Sequence, residues 1–150
     1  MTNVEGMTKS EAETRVTDDE FWGVENTPLV REEALTARVY DLEERTARFG
    51  EAVIDFAKKI PNNPVTSRII SQLVGAGTSV GANYVEADDA VSRKEFIKNI
   101  GTCRKEARET KHFLRMVVCA VPELKSQARI LWTEAKELHL IFSKIWRSKE

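Results

Sequence analysis

Residues 92–118, SRKEFIKNIGTCRKEARETKHFLRMVV, carry the pattern that decides the fold. Phe96, Ile100, Cys103, Ala107, Thr110, Leu114 and Val117 recur at alternating steps of four and three. Side chains spaced in this way share one face of an α-helix, so the run predicts a long helix with one buried stripe. Ser92 stands at the N-cap position and Glu95 follows three residues later, the arrangement of a capping box. Pro122 marks the end. Such a helix, about 28 residues and roughly 40 Å long, needs partners of similar length to cover its stripe.

The partners lie on both sides. Downstream, Leu124, Ala128, Leu131, Ala135, Leu138, Phe142 and Ile145 repeat the same spacing, with Trp132, Ile141 and Trp146 beside them. Upstream, a helix is expected over 65–87, with Ile69, Leu73, Ala76 and Val80 inward. Its centre holds Gly75, Gly77 and Gly81, which weaken a helix by about 2–3 kcal/mol in all, so a neighbouring backbone is expected close by. Before it, Leu42, Phe49, Val53, Phe56 and Ile60 form another stripe, with Thr46 at the skipped step, and Pro61-Asn62-Asn63-Pro64 ends that helix. Short links between long helices force neighbours to run antiparallel. The expected fold is all-α, an antiparallel up-down-up-down four-helix bundle over 38–150 with coiled-coil-like left-handed packing.

Residues 1–37 read differently. They carry 9 acidic and 3 basic side chains and no sustained period, and are expected to be an acidic, disordered tail. Phe21 and Trp22 interrupt it as a possible linear anchor, and Thr27-Pro28 resembles a helix start. Residues 38–150 carry 15 acidic and 20 basic side chains. That imbalance fits either an ordinary solvated surface or a basic face that meets a polyanion, screened by the tail. No secretory leader or membrane-length apolar run is visible, and Cys103 and Cys119 are too far apart on one helix to pair, so a cytoplasmic protein is expected.

Catalytic chemistry finds little support. A di-metal bundle site needs Glu-x-x-His on two helices and carboxylates from two more, and only Glu109 and His112 match. His139 lacks an acidic residue at the upstream spacing, and the cysteines and histidines form no zinc cluster. The glycine-rich stretch has no phosphate-loop pattern. No catalytic residue, metal, cofactor, membrane contact or small-molecule substrate is therefore expected. A metalloenzyme using Glu109 and His112 is kept only as a remote alternative.

The strongest surface feature is cationic. Between Arg93 and Arg115 there are 8 basic and 3 acidic residues. Arg104, Arg108, Lys111 and Arg115 form one stripe, with Lys94, Lys98 and Lys105 beside it. These seven are the candidate contacts to RNA or DNA, made to the backbone and salt-dependent. Glu106 and Glu109 among them can also pair with neighbouring bases. The surplus of aromatics on the last helix points to self-association, or to a wide monomer core.

Four stretches resemble the four helix bundle protein family, also called the 23S rRNA intervening-sequence protein or S23 family. They are residues 72–87 (QLVGAGTSVGANYVEA), 40–46 (YDLEERT), 92–96 (SRKEF) and 105–110 (KEARET). The resemblance covers about residues 40–148. It implies small bacterial cytoplasmic bundles, some encoded within 23S rRNA gene insertions, that assemble into rings, typically pentamers. A related, strongly basic branch serves the reverse transcriptase of diversity-generating retroelements, which would make a nucleic-acid enzyme a partner. The signature positions become Asn83, Glu86, Glu106, Arg108 and Glu109. Asn83, Glu86, Glu106 and Glu109 are expected to form a structural polar network, with Asn83 and Glu86 reaching Arg104 or Arg108. The net charge of −1, the acidic tail and Gly75, where that branch more often has arginine, depart from the basic branch. Two functions follow as expectations: a non-enzymatic, ring-forming scaffold touching nucleic acid, or a pure protein-interaction module displaying the tail or Phe21-Trp22.

Overall fold

A computed structural model of the chain describes residues 16–23 and 41–148. The described residues form five α-helices and no strand: α1 (Asp18–Trp22), α2 (Leu42–Ala57), α3 (Ser67–Asp88), α4 (Arg93–Ala120) and α5 (Lys125–Arg147). A short 3-10 turn, Pro122–Leu124, joins α4 to α5. The described residues thus make a helical bundle of four long elements plus a fifth, short one that a strict four-helix reading omits.

The predicted stripes make the core. Leu42, Phe49, Val53, Leu73, Val80, Ile100, Leu114, Leu138 and Phe142 are all buried. Thr46 and Thr110 are accommodated at stripe positions because each buried hydroxyl is satisfied, donating to the carbonyl four residues back, Leu42 O at 2.6 Å and Glu106 O at 2.7 Å. Ile69, Phe96, Leu124 and Ile145 sit at the margins, packed against the core but partly open.

Contacts between helices fix their directions. Glycines on α3 meet α2 in reverse order, Gly77 against Val53 and Gly81 against Thr46. On α4 and α5, Gly101 meets Trp146 while Lys111 lies over Trp132. Arg45 of α2 reaches Glu134 and Glu137, and Lys59 reaches Gln127. Each pair runs antiparallel. The seam between α2 and α5 is the loosest of the four.

The helix ends follow their local chemistry. Ser92 Oγ accepts from Glu95 N at 3.1 Å, while the Glu95 carboxylate accepts from Val91 N rather than from the cap residue. Between α2 and α3, Asn63 Oδ1 accepts from Val65 N and Thr66 N and turns the chain.

Residues 16–23 fall within the stretch expected to be a tail, yet here they form a capped helix. Thr17 Oγ1 accepts from Glu20 N, and Glu20 Oε2 accepts from Thr17 N, a complete capping box. Gly23 closes α1 with φ +69°, a left-handed conformation that glycine adopts freely. The other tail residues and the Thr27-Pro28 helix start lie outside the described residues.

Candidate nucleic-acid interface

The cations of α4 divide into two groups. Lys94, Lys98, Lys105 and Arg108 are exposed, and none takes part in an ion pair among the described residues. Arg104, Lys111 and Arg115 lie partly buried over aromatic rings instead. Arg104 sits 4.7 Å from the Trp146 ring centre, Lys111 5.4 Å from Trp132 and Arg115 4.8 Å from Phe21. The sequence showed the charges; it did not show the rings beneath three of them, because those rings come from α5 and α1.

The inner group lines the groove between α4 and α5, and α1 fills part of it. Trp22, 1% exposed, stacks on Trp132 with ring centres 5.5 Å apart and planes 23° apart. Phe21 meets Trp22 edge-on and is covered by Arg115 and Lys125. Asp18 Oδ2 accepts from Trp132 Nε1 at 2.9 Å, and Asp18 Oδ1 lies 3.7 Å from Arg115. Asp19 Oδ1 accepts from Lys136 Nζ at 2.6 Å, and Gly23 O accepts from Arg129. Phe21 and Trp22 are therefore turned inward here, against the groove, and not displayed to a partner. Trp132, which reads from sequence as a spare interface aromatic, is covered by the chain's own α1.

Burial shapes the chemistry of nearby groups. The Lys111 ammonium is held below its ordinary pKa, chiefly by burial. His139 is pushed down to about 4 by burial and by Lys111, Arg104, Arg108 and Arg147 around it. Burial raises Cys103 to about 12, and its thiol donates to Val80 O, so it stays a protonated, core-filling group at neutral pH. Cys119 is exposed, and both cysteines are free. Among the described residues no group of three or more His, Cys, Asp or Glu side chains could hold a metal. His112 is exposed and packs edge-on against Phe113. No described helix is long and apolar enough to cross a membrane.

Residues 38–142 match the 23S rRNA-intervening sequence protein family. The chain belongs to that family. A crystal structure of a protein of unknown function from the S23 ribosomal protein family of Bacteroides thetaiotaomicron is similar to it, at 24% identity and a TM-score of 0.65. That likeness covers 71% of this chain and 98% of the other, and it shows the shared fold. No curated protein matches the chain.

The contacts expected of Asn83, Glu86, Glu106 and Glu109 as one polar network are replaced by more local ones. Asn83 Nδ2 donates to Ser79 O within its own helix, at 2.8 Å, and Glu86 is exposed. Glu106 and Glu109 interact with each other. The Glu106 carboxyl is raised by burial first and then by Glu109. Arg104 is directed at Trp146. The charged tie between helices lies elsewhere, at Arg45, which bridges Glu134 and Glu137 at 2.6 Å each. Arg45 belongs to the 40–46 stretch that resembles the family, but only the fold reveals what it holds. α1 lies outside the residues matched to the family.

Proposed function

We propose that this protein is a non-enzymatic scaffold of the 23S rRNA-intervening sequence protein family that assembles with copies of itself into a ring, a pentamer by family resemblance, and meets nucleic acid through α4. The bundle over 38–150 is the working domain, and the cytoplasm is its place. The observation that carries the nucleic-acid contact is the row of Lys94, Lys98, Lys105 and Arg108, exposed along one side of α4 and outside every ion pair among the described residues. A row of this kind meets successive phosphates without reading bases, so affinity falls steeply with salt. Self-association is supported by the loose α2–α5 seam, where a groove of about 940 Å³ opens beside the exposed Ile130. Phe49, Ala52, Ile130 and Leu131 form an apolar strip in it between charged side chains, a mixture that suits a neighbouring subunit.

Light scattering on the purified chain tests the assembly; a monomer mass at micromolar concentration overturns the ring. A salt titration with labelled RNA and DNA tests the contact. Binding at about 50 mM salt that weakens steeply by about 200 mM is expected. Charge reversal at Lys98 and Lys105 should weaken binding to every sequence alike. Absence of binding at low salt overturns this reading.

A further inference from the structure

The segment that fills the α4–α5 groove has the chemistry of a short stretch of nucleic acid. Trp22 lies flat on Trp132, as a base lies on an aromatic platform. Asp18 and Asp19 place carboxylates on Arg115, Lys136 and the Trp132 N–H, where phosphates would be held. Lys111 and Lys136 flank the Trp132 ring at 5.4 and 5.0 Å. Without α1, the groove would offer a tryptophan face set among cations, on the side of α4 next to the exposed row.

The occupant is also poorly fixed. A five-residue helix does not persist alone in water. Its anchoring carboxylates are 39% and 46% exposed, so salt screens them. Trp22 Nε1 is buried without an acceptor among the described residues, a cost that displacement relieves. By contrast Trp132 belongs to the long helix α5, and Lys136 of the same helix lies 5.0 Å from its ring centre.

We propose that the α4–α5 groove centred on Trp132 is a stacking site for single-stranded nucleic acid, and that α1 is its built-in mimic, which masks the site until a strand displaces it. This rests on the nucleic-acid reading above and adds a strand preference that the exposed cation row alone would not give. A base with a free face can stack on Trp132; a paired duplex cannot offer one, so the site discriminates between them.

The test compares the full-length chain with Trp22→Ala and with Asp18→Asn/Asp19→Asn. Binding is measured by fluorescence anisotropy at about 50 mM salt, with a labelled single-stranded oligouridylate of about 12 nucleotides and an RNA duplex of the same length. Each unmasked variant is expected to bind the single strand roughly tenfold tighter than the parent, with duplex affinity changed less than about twofold. Adding Lys136→Gln, or separately Trp132→Leu, should cancel the gain; Lys136→Gln keeps the test sound if Trp132→Leu fails to fold. A parent that does not bind, beside variants that bind the single strand, supports the mimic while overturning the exposed-row reading. Equal gains for both probes, or no gain, overturn the stacking site and leave that reading intact. Failure of every protein to bind either probe overturns both.

Discussion

Gly75 and Gly77 stand two residues apart on α3 with opposite surroundings. A Cβ at Gly77 would lie 2.7 and 2.8 Å from the two methyls of Val53, which α2 holds in the core, whereas one at Gly75 would meet nothing within 4 Å. Gly77→Ala should therefore destabilise the protein by about 1–3 kcal/mol through overpacking. Gly75→Ala should stabilise it by about 0.5–1 kcal/mol through helix propensity. Urea denaturation of both variants against the parent checks the opposite signs. The glycine run announced a close approach in the sequence, but periodicity alone gave all three glycines one meaning. Which of them faces α2 depends on how α3 is rotated. His139 makes a second case. Its folded pKa, about 4, lies below its ordinary 6.5, so between those values the unfolded chain holds more protons than the folded one. Stability must fall as pH drops through that window. His139→Gln should flatten the fall, by on the order of 1 kcal/mol for a partly exposed ring, read as the difference in unfolding free energy between pH 7 and pH 4.5.

The sparse contact between α2 and α5 carries a charged tie at Arg45. The Arg45 side chain is 12% exposed and carries two carboxylates of α5, while its Nη1 has no partner among the described residues. The guanidinium is held above its ordinary pKa, first by its hydrogen bond to Glu134, against the opposing effect of burial. Arg45→Met would leave Glu134 and Glu137 as neighbouring like charges, and should cost about 1–3 kcal/mol. Adding Glu134→Gln should recover part of that loss, and a double-mutant cycle in thermal denaturation measures the coupling. The long helices were legible in sequence because a stripe such as Phe96 to Val117 is written within one segment. The Arg45 tie and the seat of Phe21-Trp22 were not. Each joins residues about ninety or more apart in the chain, so their partners exist only once the bundle has closed.

Taken whole, the molecule is divided in charge, with nine acids against three bases before residue 38 and twenty bases against fifteen acids from residue 38 onward. α1 lays part of the first set onto part of the second. Its grip combines a desolvated ring with exposed ion pairs, so salt and solvent act on it differently from the core. Raising salt to about 0.5 M should loosen α1 while the far-ultraviolet signal of the long helices stays constant. The tryptophans report the event. Trp22 and Trp132 lie near enough, and near enough to parallel, for their excited states to mix, while Trp146 lies under Arg104 at the far end of the groove. The protein thus carries its own optical gauge. A coupled aromatic dichroism band should be present in the parent chain and vanish in Trp22→Ala. It should fade as a strand enters the groove, so displacement can be followed in unlabelled protein by light alone.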